Sequence, residues 1–90
     1  MTSRKFIINP YLVIRKFDFK VLNKNTGFLF ELNKEGFIIL EKFNTPHTLA
    51  ELYNELYNEF KIEKSKKLII QKNIEKFCHV AINEELLVKV

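Results

Sequence analysis

Apolar residues change their spacing about a third of the way along the chain. Up to Leu32 they alternate or run in short β-branched and aromatic blocks; beyond it they recur every third or fourth position. The segments YLVIRKF (Tyr11–Phe17) and FKVLN (Phe19–Asn23) read as strands, because branched and aromatic side chains suit a pleated, half-buried surface. Asn23-Lys24-Asn25-Thr26-Gly27 reads as a turn, with Asn and Gly where a positive φ is needed. GFLFEL (Gly27–Leu32) returns as a third strand. Its alternation puts Phe28, Phe30 and Leu32 on one face and Leu29 and Glu31 on the other. The pattern predicts a small antiparallel meander.

The helical period begins at Asn33, which can cap a helix running through Phe37, Ile38, Leu40 and Phe43 to about Asn44. Pro46 blocks its continuation. Thr48-Leu49-Ala50-Glu51 has the form of a capping box, and Leu49, Leu52, Tyr53, Leu56 and Phe60 then fall on one face of a second helix. A third helix runs from about Glu63 or Ser65 to Asn83, with the stripe Ile70, Ile74, Phe77, Cys78 and Ala81. Leu68, Ile69 and Val80 lie outside that stripe, so this helix is apolar on more than one face. The closing LLVKV is expected to be extended and to cover the core edge. The expected fold is α+β: a three-stranded antiparallel sheet followed by three helices, order βββααα, winged-helix-like.

At 90 residues there is room for one core, so residues 1–90 form a single domain, with 1–9 a flexible lead. One Cys excludes an internal disulfide. The basic N-terminus is interrupted by Asn9-Pro10 and lacks a small-residue cleavage site. No window approaches the ~20 apolar residues of a membrane span. These features predict a soluble, cytoplasmic protein that does not engage a membrane. The net charge of +4 is unevenly placed. Between Lys61 and His79 six Lys face only Glu63 and Glu75, whereas Thr48–Phe60 carries Glu51, Glu55 and Glu59 and no base. A basic helix thus follows an acidic one, read either as two solvated faces or as a basic groove for an acidic peptide or nucleic acid.

Catalytic chemistry finds little to stand on. Cys78 and His79 are adjacent, and adjacent helical side chains point about 100° apart, which suits a core Cys beside a surface His better than a nucleophile and its base. One Cys and two distant His make no zinc pattern, and Gly27 and Gly36 stand alone rather than in a phosphate loop. The expectation is a protein that is not an enzyme and uses no cofactor or metal. Binding remains. A strand between a tight turn and a helix start is expected at a sheet edge, where a peptide can add as a further strand.

The span NTGFLFELNKEGFIILEKFNTPHTLAELYNELYNEF resembles the PqqD-like family, the precursor-peptide recognition element of ribosomally synthesised, post-translationally modified peptides. The resemblance rests on Thr26-Gly27 in the strand turn, Leu32-Asn33-Lys34-Glu35-Gly36 opening the first helix, and Thr48-Leu49-Ala50-Glu51-Leu52 opening the second. It covers roughly Pro10 to Val88. Where the family often carries Asp-Gly between helices this chain has Asn44-Thr45, and Asn also tolerates the left-handed conformation. The resemblance implies a non-catalytic adaptor that binds the leader segment of a precursor peptide as an extra strand on the third strand, beside the third helix. It presents the peptide to a modifying enzyme: a radical S-adenosylmethionine maturase, or the leader peptidase and cyclase of lasso-peptide assembly. Mapped onto this chain, the strand wall is Gly27, Phe28, Leu29, Phe30 and Glu31; the helix wall is drawn from Lys66, Lys67, Ile70, Asn73, Ile74 and Phe77. Lys66 and Lys67 would steer acidic leader residues. For Ile70, Ile74 and Phe77 a core role and a groove role stand side by side. The rival reading is a small winged-helix nucleic-acid binder using Lys66, Lys67 and Lys72. Against it, all strands precede the helices and neither Arg lies on the basic helix, so nucleic acid is the less expected partner.

Overall fold

The computed structural model of the chain describes residues 4–90. Five strands and three helices follow one another as β1 (Phe6–Ile8), β2 (Leu12–Arg15), β3 (Lys20–Asn23), β4 (Phe28–Glu31), α1 (Lys34–Lys42), α2 (Leu49–Phe60), α3 (Lys67–Asn83) and β5 (Leu87–Lys89), with a single 3-10 turn at Lys64–Lys66 leading into α3. The protein is α+β with antiparallel sheets. The meander is present as the sheet β2-β3-β4, but the order βββααα is incomplete, because β1 and β5 form a second, two-stranded antiparallel sheet.

This second sheet corrects the flexible lead over residues 1–9, of which 1–3 lie outside the described residues. Phe6 is buried, its N–H donates to the His47 carbonyl, and the Ile8 N–H donates to the Phe43 carbonyl. The buried Asn9 pins both ends of the chain together. Its side-chain amide donates to the Glu85 carbonyl at 2.8 Å, its N–H donates to the Leu86 carbonyl, and its Oδ1 accepts from the Tyr11 N–H. A three-residue strand beside Asn-Pro has no local signature; only a partner some eighty residues away makes it one.

The core is built from Phe37 and Leu40 of α1 and Phe43 just after it, Leu52 and Leu56 of α2, Ile74, Cys78 and Ala81 of α3, and Leu86 and Leu87 beyond α3, closed by Val21 and Phe6. The helix starts follow the expected chemistry. Asn33 Oδ1 accepts from the Gly36 N–H at 2.7 Å, and the capping box of α2 is complete: Glu51 N–H donates to Thr48 Oγ1, and Thr48 N–H to Glu51 Oε1. Gly36 is required by packing. A Cβ there would lie 2.9 Å from Phe77 Cε1, so glycine lets the first turn of α1 close onto α3. In the β3–β4 turn Gly27 has φ +77, and the buried Asn23 accepts from the Asn25 and Thr26 N–H groups. Between α1 and α2, by contrast, no described residue has a positive φ, so Asn44 does not take the left-handed conformation its type allows.

Candidate functional site

Which backbone groups of β4 are open follows from its hydrogen-bond phase. The Leu32 N–H donates to the Phe19 carbonyl at 2.9 Å, and in the β3–β4 register Phe30 faces Val21 and Phe28 faces Asn23. Antiparallel pairs alternate between hydrogen-bonded and open, so Phe28, Phe30 and Leu32 direct their main-chain groups at β3. Leu29 and Glu31 therefore direct theirs, both N–H and C=O, away from the sheet. No described strand covers that edge. The opposite edge is less open. There Lys24 donates to Tyr11, which turns Leu12 and Ile14 outward, and the Leu12 N–H is already given to the Asn9 carbonyl. Both outer strands are edges, and β4 offers the fuller run of unpartnered main-chain groups.

The side chains of β4 divide by face as the alternation requires, with one correction. Phe30 packs against the core and Leu29 and Glu31 are exposed, but Phe28 is 59% exposed rather than buried with Phe30. Phe28 lies at the turn end of the strand, opposite Asn23, and stacks on the Phe30 ring at 4.9 Å between centroids. Both aromatics thus present a continuous ring surface beside the open backbone.

Directly after β4, Asn33–Gly36 form one wall of an apolar groove of about 710 Å³. Leu56, Phe60 and Ile62 close its far end, and Ile70, Asn73, Ile74 and Phe77 of α3 line its other side. Ile74 is 3% exposed and serves as floor, so the core and groove readings both hold for it. Four of the six helix-wall residues read from the sequence are thereby brought together. Lys66 and Lys67 are not: both are exposed and outside the groove, and the Lys67 ammonium sits over the Tyr57 ring of α2, 5.0 Å from its centroid. A lysine one residue into a helix points wherever the helix phase sends it, here about 60° from Ile70 toward α2. Gly27–Glu31 do not line the groove either; they form the adjoining strand edge.

Ile69, Lys76 and Val80 were not among the candidate site residues. Ile69 is 65% and Val80 53% exposed, and with Asn73 and Lys76 they make a stripe at i, i+4, i+7 and i+11, of which Asn73 lines the groove. The available signal was the second apolar face of α3. Lys72 and Lys76 have no carboxylate within ion-pair distance among the described residues, while the acids of α2 are engaged: Glu51 in its cap, Glu55 with His47, Glu59 with Lys42.

Titratable groups in the interior are held away from reactivity. Burial pushes the Cys78 thiol up to about 12, so it stays protonated and inert, and burial likewise raises the Tyr53 phenol to about 12. The His47 pKa is raised, chiefly by its hydrogen bond to the Thr45 carbonyl and further by Glu55. Among the described residues no three or more His, Cys, Asp or Glu side chains cluster as a metal site, and no helix is long and apolar enough to cross a membrane. Compared with protein-family models, curated proteins and solved structures, the chain finds no match.

Proposed function

We infer that this chain is a peptide-recognition module of the PqqD-like kind, in a winged-helix-like arrangement. It binds the leader segment of a ribosomal precursor peptide as a strand on β4 and presents the remainder to a modifying enzyme, itself contributing no catalytic group. One observation carries the reading: the outward N–H and C=O groups of Leu29 and Glu31 form an open main-chain template that leads through Asn33 into an apolar groove. Backbone pairing along the strand supplies affinity, and alternate side chains entering the groove or meeting Phe28 supply selection. The four-residue edge is too short for a copy of itself to bury the ~1,200 Å² of a stable interface, which favours a peptide that continues past the strand. The partner enzyme is of the radical S-adenosylmethionine type or a lasso leader peptidase with its cyclase, and the setting is cytoplasmic.

The test is an NMR titration of labelled protein with leader peptides encoded by neighbouring genes, and separately with a DNA duplex. Saturable shifts in Gly27–Leu32 and α3 with one peptide are expected. A Glu31→Pro variant sharpens the result, because the Glu31 N–H points outward. Proline there should leave the β3–β4 ladder intact and abolish peptide binding. Shifts only with DNA, weakening with salt, would overturn the reading and favour phosphate binding by Lys66, Lys67 and Lys72.

A further inference from the structure

We propose that the junction of α2 and α3, from Lys61 through the first turn of α3, is a contact surface for an anionic lipid bilayer, independently of the leader function. Every residue from 63 to 69 is exposed. Lys66, Lys67, Leu68 and Ile69 span a full helical turn, and a turn exposed on every side is one that projects from the body of the fold. Backbone hydrogen bonds hold it there. Lys61 ends α2 in the left-handed conformation at φ 49, the Ile62 N–H donates to the Tyr57 carbonyl, and the Lys66 N–H donates to the Glu63 carbonyl. The Tyr57 hydroxyl donates to the Lys67 carbonyl at 3.4 Å, which ties the end of α2 to the start of α3.

The projecting turn is apolar and basic at once. Leu68 and Ile69 are 63% and 65% exposed, and neither lines the groove. Lys72 stands at i+4 from Leu68 and i+3 from Ile69, between them and one turn further along the helix. From Lys61 to Lys72 the chain carries Lys61, Lys64, Lys66, Lys67 and Lys72 against Glu63 alone. Lys16, Lys20 and Lys42 each meet a carboxylate elsewhere in the fold. None of the five lysines at this junction has a carboxylate within ion-pair distance among the described residues. Lys67 lies over the Tyr57 ring, a contact that places its charge without neutralising it. The positive field of this end of the molecule is therefore free to meet an external anion.

Charge and residue type together select the occupant. A second copy would set these unanswered bases against one another. Interfaces between folded proteins favour Arg and aromatic residues, disfavour Lys, and draw on about 20–30 residues a side, whereas this surface is a narrow projection of Lys, Leu and Ile. A nucleic acid would answer the lysines and leave Leu68 and Ile69 without a partner, because phosphates offer no apolar surface and bases stack on aromatic rings. An anionic bilayer answers both. The aliphatic side chains enter the boundary between headgroups and acyl chains, and the lysine stems lie along it with their ammonium groups among the lipid phosphates. Contact of this kind needs no spanning segment, so it is compatible with the absence, among the described residues, of a helix long and apolar enough to cross a membrane. It departs from the expectation that the chain does not engage a membrane, which rested on spanning length.

The experiment is co-sedimentation with vesicles of equal parts phosphatidylglycerol and phosphatidylcholine, and with vesicles of phosphatidylcholine alone. Three proteins are compared: the unaltered chain, the double variant Leu68→Ser with Ile69→Ser, and the double variant Lys64→Gln with Lys66→Gln. The unaltered chain should bind the anionic vesicles at least about tenfold more tightly than the neutral ones, and less tightly as salt rises. Each double variant should bind the anionic vesicles about tenfold or more weakly than the unaltered chain. All four positions are exposed, so thermal unfolding should be nearly unchanged. No binding to anionic vesicles, equal binding to neutral ones, or undiminished binding by either variant overturns the proposal. Without vesicle binding, a DNA duplex bound by the serine variant and lost by the glutamine variant overturns it in favour of nucleic acid; a dimer that the serine variant fails to form overturns it in favour of a second copy.

Discussion

Helices α2 and α3 touch where Lys67 lies over Tyr57, and they use their polar and apolar faces in opposite ways. On α2 the inner stripe is buried through Leu52 and Leu56, and each Glu of the outer face is engaged by the chain itself, in the cap, with His47 or with Lys42. On α3 the inner stripe is buried too, through Ile74, Cys78 and Ala81. Its outer face, however, leaves Leu68, Ile69 and Val80 in solvent, with Lys72 and Lys76 between Ile69 and Val80 along the helix and no described carboxylate within ion-pair distance of either. A helix whose carboxylates are all answered from within the chain directs its charge to holding the fold. One that leaves apolar residues exposed beside unanswered bases presents a surface the fold itself does not use.

That contrast is open to direct attack. Leu52→Ala should cost about 2–5 kcal/mol in urea unfolding, because its site is fully enclosed, while Ile69→Ala and Val80→Ala should each stay within about 0.5 kcal/mol. Comparable losses at all three positions would erase the distinction. Gly36→Ala should cost about 1–3 kcal/mol, since the new methyl meets the Phe77 ring and pushes α1 off α3. At the helix starts, Thr48→Ala should destabilise by about 1 kcal/mol. Lys66→Ala should cost nothing measurable, because Lys66 makes no side-chain capping bond at the start of α3. The smallest effect is electrostatic. The His47 pKa is raised in the folded state, so the stability it confers is complete below the ordinary histidine value of 6.5 and is lost as pH rises through the folded value. Thermal midpoints should therefore fall slightly from pH 6 to 8 in the unaltered chain and not in His47→Gln.

Elements with a strong local signature could be read from sequence nearly residue by residue. The capping box at Thr48, the cap at Asn33 and the turn ending in Gly27 each rest on contacts spanning three or four residues. For the candidate site the legibility was partial. Ile70, Asn73, Ile74 and Phe77 share a helix face, and that face lines the groove. Lys66 and Lys67 were included through the family resemblance and their charge, and neither says which way a side chain points. Alternation placed Phe28 on one face with Phe30 and Leu32, and it names a face but not how far the core extends beneath it.

Taken by itself, the chain's pattern determined the meander, the three helices and the starts of the first two, because those depend on neighbours within a turn or a hairpin; the third helix, expected from Glu63 or Ser65, begins at Lys67 after a 3-10 turn with no side-chain cap. The tertiary structure alone decided that β1 pairs with β5 and that Gly36 is needed because Phe77 arrives from α3. Each of these turns on a partner distant in sequence, and such a partner leaves no trace in local periodicity.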